Sequence, residues 1–262
     1  MDLGLSTRVA LVAAGSKGLG LAVAEELAAE GAAVAICARG QAALDTAVAR
    51  IRATGARAHG IAADVSNPAD IARVIADTEA TLGPIDILVT NSGGPKSGRF
   101  ETLSADDWDA ASRVLLTSAV TFTRAVLPTM RARRWGRILN ITSIAAKQPV
   151  EGLMLSNSLR AAVIAFARTL ANEVAADGIT VNNLLPGYTR TERVVELSGQ
   201  IAARESVSVE SVYARWEHEI PMRRLGEPRE FAALAAFLAS DRASYVTGQS
   251  IAVDGGWIKG MF

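Results

Sequence analysis

The chain has 262 residues, half of them hydrophobic and 21% charged, the composition of an ordinary globular protein long enough to bury a sizeable core. Lys+Arg and Asp+Glu number 27 each, so no net charge draws the chain to nucleic acid or to an anionic membrane. Cys37 is the single cysteine, which excludes a disulfide framework and a cysteine-based metal cluster, and its alternating apolar neighbours mark it as a small core residue. No apolar run approaches the roughly 20 residues of a membrane span, and the opening residues lack a basic-then-apolar signal pattern. A cytoplasmic location is therefore expected.

Short apolar runs alternate with longer amphipathic stretches. Arg8 to Ala14 predicts a strand, Gly18 to Glu30 a helix closed by Gly31, Ala32 to Ala38 a strand, Gln41 to Thr54 a helix and Ala56 to Ala62 a strand. Asn67 and Pro68 supply an N-cap and a first helical residue for a helix running to Leu82. Ile85 to Thr90 is the fourth strand, followed by one long helical stretch from Ser104 to Arg133 that contains Pro128. Arg137 to Thr142 is a strand, Met154 to Ala176 a helix, Ile179 to Leu185 a strand, Glu227 to Ser240 a helix and Gln249 to Val253 the seventh strand. This alternation predicts an α/β fold: one Rossmann-like, doubly wound domain spanning 1–262, with a seven-stranded parallel sheet and helices on both faces. Right-handed crossovers then place the loops after the strand C-termini along one edge, where ligands bind. The stretch from about 188 to 221 is helical in character and contains no strand, which suits a substrate lid beside that edge.

After the first strand comes Ala13-Ala14-Gly15-Ser16-Lys17-Gly18-Leu19-Gly20. Glycines at a strand-to-helix turn let backbone approach a diphosphate, and the helix N-terminus supplies N–H donors and partial positive charge. With Asp64-Val65, Asn91-Ser92-Gly93-Gly94, Asn140-Ile141-Thr142-Ser143, Pro186-Gly187-Tyr188-Thr189-Arg190-Thr191, Pro221-Met222-Arg223-Arg224-Leu225-Gly226 and Thr247-Gly248-Gln249 following in order, the chain resembles the short-chain dehydrogenases/reductases over essentially its whole length. Within them it is most similar to the 3-oxoacyl-ACP-reductase-like group. The resemblance implies a nicotinamide dinucleotide held by Ala14, Gly15, Ser16, Lys17, Gly18, Leu19, Gly20, Arg39, Asp64, Val65, Asn91, Gly93, Arg160, Pro186, Gly187, Thr189 and Thr191. It also implies a homotetramer or homodimer and a small-molecule partner, a carbonyl compound. The family's glycine turn reads Thr-Gly-x-x-x-Gly-x-Gly; here Ala13 and Ala14 occupy the Thr-Gly places.

Charge bears on which dinucleotide is held. An acid at the end of the second strand would bond a ribose 2′-hydroxyl, whereas a 2′-phosphate wants cations. That strand ends in Ala38-Arg39, and Lys17 lies in the glycine turn, so NADP(H) is expected in preference to NAD(H).

The catalytic half departs from the family pattern. The resemblance places a proton-transferring tyrosine thirteen residues after Ser143 and a lysine four residues beyond it, but those positions hold Ser156 and Arg160. The asparagine expected on the long helix is Leu115. Ser156 and Arg160 still share a helix face, and Arg160 carries a permanent charge able to favour an oxyanion. An aliphatic hydroxyl, however, is a far weaker acid than a phenol. Tyr188 and Lys147 are alternative proton sources, although Tyr188 equally suits packing and Lys147 a solvated surface. No metal-ligand spacing or nucleophile elbow occurs, and no metal is expected. Three readings stand: an NADP(H)-dependent carbonyl reductase with a rearranged proton-delivery site, a non-catalytic nucleotide-binding or assembly protein, and another reaction type in the same pocket.

Overall fold

A computed structural model describes residues 2–261. Strand β1 (Val9–Ala13), entirely buried, feeds helix α1 (Gly18–Ala29); β2 (Ala33–Ala38) feeds α2 (Gln41–Arg52), and β3 (Ala58–Ala62) feeds α3 (Pro68–Leu82). The Asn67 side chain caps α3, accepting from the Ala69 amide at 3.0 Å, with Pro68 at the first helical position. Next come β4 (Ile87–Thr90), α4 (Ala105–Ser112), α5 (Ser118–Arg133), β5 (Gly136–Ile141) and α6 (Met154–Val174). The chain closes with β6 (Ile179–Pro186), α7 (Glu192–Glu205), α8 (Val209–Glu219), α9 (Pro228–Ala239) and β7 (Ser250–Val253).

All seven strands form one parallel sheet in the order β3-β2-β1-β4-β5-β6-β7, as the alternation predicts. The order reverses between β1 and β4, which makes the carboxyl ends of those two strands the ligand crevice. Alternate residues of each strand enter opposite cores. Ala10, Val12, Val34, Ile36 and Leu139 pack under α1, α2 and α9, whereas Leu11, Ala35, Leu88 and Ile138 pack under α3, α5 and α6. The predicted single helix from Ser104 to Arg133 is instead interrupted: Arg113–Thr117 winds as a π-helix between α4 and α5. Pro128 is accommodated inside α5. The strandless stretch forms the two helices α7 and α8, held together by Val194, Ala202, Val212 and Trp216.

A chain of side-chain hydrogen bonds crosses the sheet near its ligand edge. Thr90, Asn140, Asn183 and Ser250 are register partners on β4, β5, β6 and β7. Thr90 Oγ1 donates to Asn140 Oδ1 at 2.7 Å, Asn140 Nδ2 to Asn183 Oδ1 at 3.1 Å, and Asn183 Nδ2 to Ser250 Oγ at 3.0 Å. Asn140 and Asn183 are fully buried, and in such surroundings each amide is stable only while its neighbours satisfy it. The same bonds reject a slipped register, because one residue of slip turns every side chain to the opposite face. Asn140→Ala leaves both neighbours short of a partner and should lower the unfolding free energy by about 2–3 kcal/mol in chemical denaturation. A loss under about 0.5 kcal/mol would show that the ladder contributes nothing.

Candidate active site

The turn between β1 and α1 is built for close approach. The Gly15 amide donates to the Cys37 carbonyl at 3.1 Å, tying the turn to β2. Ala14 has φ +48°, a left-handed conformation, at the place where the resembling pattern carries glycine. An L-residue there bears roughly 1–2 kcal/mol of strain. A Cβ on Gly20 would lie 2.4 Å from the Ala14 carbonyl oxygen and 2.8 Å from Asn91 Nδ2, so no side chain fits at that position. Asn91 Nδ2 in turn donates to the Ala14 carbonyl at 3.4 Å, linking the turn to the end of β4. Ser16 and Leu19 are half-buried in the turn, and Lys17, the N-cap of α1, is exposed. The first turn of α1 carries no acid, which leaves its N–H groups facing the crevice unopposed by a neighbouring carboxylate on that helix.

At the outer end of the crevice, Arg39 is exposed just past β2. Asp64 is held below the usual carboxylate range, chiefly by the Ser66 amide and hydroxyl on its Oδ1 at 2.9 and 2.7 Å, with the Arg39 cation adding to the effect. Val65 packs against the α3 side of the core. Among the described residues neither the Lys17 nor the Arg39 side chain has an ion-pair or hydrogen-bond partner. Around Gly93 there is open space, with nothing within 4 Å of an added Cβ. Open backbone at Gly93, uncapped α1 amides and two free cations fit a dinucleotide bearing phosphates.

The inner end is centred on Arg160 of α6. Its Nη1 donates to the carbonyls of Ile141 at 3.1 Å and Thr142 at 2.8 Å, and its Nε donates to Ser156 Oγ at 3.2 Å. Burial and the nearby charge of Arg193 lower its pKa to about 10, so the guanidinium remains protonated at neutral pH. Ser156 is buried one helical turn earlier. Ser143, at the end of β5, accepts the Ala145 amide on its Oγ at 3.1 Å, capping a short 3-10 turn. Both hydroxyls therefore accept from the protein, which leaves the proton of each free to donate elsewhere. Leu115, inside the π-helical turn, lines a small cavity of about 10 Å³ together with Thr90, Asn91, Ser92, Thr142 and Arg160. Thus the longer arginine reaches back to strand carbonyls beside the position at which the family pattern carries asparagine.

Tyr188 sits in an aromatic cluster, stacked on Trp216 at 4.5 Å and edge-on to Trp257 at 6.0 Å. Burial, with the Glu219 charge adding, pushes its phenol up to about 12, far from neutral pH, which favours the packing role over proton transfer. Lys147 ends the 3-10 turn after Ser143 and is exposed, in keeping with a solvated charge. Pro186 ends β6, and the Gly187 amide donates to Val253 at 2.9 Å, pinning the next segment to β7. Thr189 is buried, its backbone bridging to Gly226, and Thr191 is the N-cap of α7. Thr191 and Glu192 overhang the glycine turn, both lying within 4 Å of a Cβ built on Gly18.

Sequence reasoning overlooked Arg193, whose guanidinium lies against Gly94; only the fold brings α7 over the loop after β4. It also did not foresee a cleft of about 500 Å³ between the loops that follow β4 and β5, lined by Phe100, Val150, Met154 and the Arg99–Glu151 ion pair at 2.6 Å. Among the described residues no group of acids, histidines or cysteines is arranged to hold a metal, and no helix is long and apolar enough to cross a membrane.

Comparison with known proteins agrees with this geometry. The family profile described as enoyl-(acyl carrier protein) reductase matches residues 13–258. The chain is 40% identical to acetoacetyl-CoA reductase of Shinella zoogloeoides over 253 residues, covering 95% of this chain and 98% of that protein. It is 35% identical to 3-oxoacyl-[acyl-carrier-protein] reductase of Salmonella typhimurium over 250 residues, covering 95% and 96%. Among solved structures, L-sorbose reductase of Gluconobacter frateurii, complexed with NADPH and L-sorbose, superposes with a TM-score of 0.94 at 33% identity and full coverage of both chains. This sheet, whose order reverses between β1 and β4, together with the reductase relatives, marks the chain as a nicotinamide-dependent oxidoreductase. This chain belongs to the short-chain dehydrogenase/reductase family.

The contrast between two glycines tests the crevice. Gly93→Ala should leave the unfolding midpoint unchanged yet weaken dinucleotide binding, whereas Gly20→Ala should also destabilise the fold by about 1–3 kcal/mol through its clash with backbone. Thermal melts with and without dinucleotide read both effects. Full binding by the Gly93 variant would mean that the dinucleotide does not pass that backbone.

Proposed function

We propose that the chain is an NADP(H)-dependent reductase of small carbonyl compounds in which Ser156 and Arg160 stand in for the family's tyrosine and lysine beside the serine hydroxyl of Ser143. The observation that carries this reading is the loading of Ser143 and Ser156 as hydrogen-bond acceptors, from the Ala145 amide and from Arg160 Nε respectively. Their free protons suit the oxygen of a bound carbonyl, on which negative charge grows as the bond is reduced. The nicotinamide, when bound, supplies the hydride. Ser156 Oγ–H then delivers the proton that completes the alcohol and regains one from solvent. Arg160 acts through Ser156: a hydroxyl that accepts from a guanidinium gives up its proton more readily than a free one. The bonds from Arg160 to Ile141 and Thr142 fix the guanidinium to the end of β5 and the residue after it, just before Ser143, which keeps the two hydroxyls in one frame.

Selectivity for the 2′-phosphate rests on Lys17 and Arg39, two exposed cations with no acid following β2. The carbonyl substrates named for the relatives, acetoacetyl-CoA, 3-oxoacyl-carrier protein and L-sorbose, supply the first compounds to assay.

NADPH oxidation followed by absorbance over that panel tests the chemistry. Turnover is expected with at least one compound, and Ser156→Ala should lower kcat by about tenfold or more while the NADPH affinity holds. NADPH binding with no oxidation of any carbonyl would instead favour a nucleotide-binding protein without turnover. For the cofactor, Arg39→Asp should move the preference towards NADH by about tenfold or more, read as the ratio of the two dissociation constants. An unchanged ratio would sink the assignment of Arg39.

A further inference from the structure

The helical segment over the crevice and the loop that follows it carry several arginines, and most are already engaged. Arg190 pairs with Glu217 and Glu227, Arg204 and Arg215 both with Glu205, Arg224 with Glu230, and Arg223 bonds to His218. Arg193 differs. Its nearest carboxylate is Glu196, one turn along the same helix at 3.5 Å and well exposed, and no hydrogen bond from its guanidinium is formed among the described residues. Such a pair in water holds an arginine only weakly. Instead of turning outward, the guanidinium lies over the loop after β4, its Nε and Nη2 each 2.9 Å from the place of a Gly94 Cβ.

Three observations locate this cation within the crevice. Thr191 and Glu192, immediately before it, overhang Gly18 at the N-terminus of α1, Glu192 with an exposed carboxylate that a bound diphosphate would turn outward. Gly94 follows directly on the open backbone of Gly93. Finally, Arg160 feels the charge of Arg193, and no acid offsets it. The guanidinium of Arg193 on α7 thus lies close enough to that of Arg160 on α6 for the two charges to repel. An anion seated on Arg193 would relieve that repulsion.

We propose that Arg193 is a ligand of the dinucleotide's diphosphate, so that α7 is drawn onto the crevice by the molecule beneath it. This rests on the reading of the protein as a nicotinamide-dinucleotide enzyme. The diphosphate is the anion that belongs above the N-terminus of α1, and the planar fork of arginine matches a pair of phosphoryl oxygens. A side chain at Gly94 would meet the guanidinium, which, as the end of a flexible side chain, would move aside to admit it. The proposal carries a signature that separates Arg193 from Arg39. The diphosphate is common to NADPH and NADH, so Arg193 serves both equally, whereas Arg39 distinguishes them.

The test is titration calorimetry of the full chain with NADPH and with NADH, for the wild type, Arg193→Ala and Arg193→Lys, alongside thermal melts without ligand. Arg193→Ala should weaken both dinucleotides by the same factor, about five- to tenfold, with its ligand-free melting temperature unchanged. Arg193→Lys should recover part of the loss. Wild-type affinity in the alanine variant would overturn the proposal. So would a loss confined to NADPH, which would place the guanidinium on the 2′-phosphate. Unchanged dinucleotide binding with a raised KM for a carbonyl compound bearing a carboxylate or phosphate would assign the anion to the substrate instead. If the wild type binds neither dinucleotide, the proposed function falls, and the role of Arg193 with it.

Discussion

The site is anchored by a line of buried polar groups rather than by its apolar core. Thr90, Asn140, Asn183 and Ser250 join four parallel strands at one register row, and the next two residues after Asn140, Ile141 and Thr142, supply the carbonyls that hold Arg160. Hydrophobic burial drives such a sheet together without specifying its alignment to one residue, whereas a buried amide does, because any other alignment leaves it unsatisfied. Everything at the inner end of the crevice inherits that alignment. Ser143 follows from the end of β5, Thr90 lines the cavity beside Arg160, and Gly187 is held to β7, which is itself the last member of the row.

The unusual residues of the catalytic half work together. A lysine at position 160 would present one ammonium, and an asparagine at 115 a polar side chain. Arg160 with Leu115 presents a longer, forked cation whose outer nitrogen is taken by backbone carbonyls and a leucine beside it in the π-helical turn. The nitrogen nearer the stem is thereby free to engage Ser156. The charge that the family places beside a phenol is here beside an aliphatic hydroxyl. Burial costs the guanidinium some of its basicity but not its charge at neutral pH. Arginine suits this position because its high intrinsic pKa leaves it charged at neutral pH after that loss.

Much of this was legible in the sequence, for identifiable reasons. The sheet could be read because period-two burial and helix-length spacing are local signals, and the Asn67-Pro68 cap is a local signature. The glycine turn and the replaced residues at 115, 156 and 160 could be placed because their offsets from neighbouring motifs are fixed. The interruption of the long helix was hidden, since a π-helical turn adds one residue without disturbing the apolar pattern enough to show. The packing of Tyr188 on Trp216 was hidden too, because the partners lie on different elements whose approach depends on α8 folding back. The hydrogen bond from Arg160 to Ser156 follows from their spacing, but the two strand carbonyls that orient the guanidinium do not. Arg193 is the extreme case, an ordinary charged helix residue until α7 sets it over Gly94.

The central claim is that reduction proceeds without a phenol, through a hydroxyl backed by a cation that stays charged. The pH dependence of kcat for carbonyl reduction at saturating NADPH examines it most directly. Arg160 is lowered to about 10 and keeps its proton below that value, so the account predicts a level profile from about pH 6 to 9 and a fall only as pH approaches 10. The same profile should remain level in Tyr188→Phe. Loss of turnover in Tyr188→Phe, with Ser156→Ala keeping its turnover, would return the proton transfer to the phenol and contradict the account.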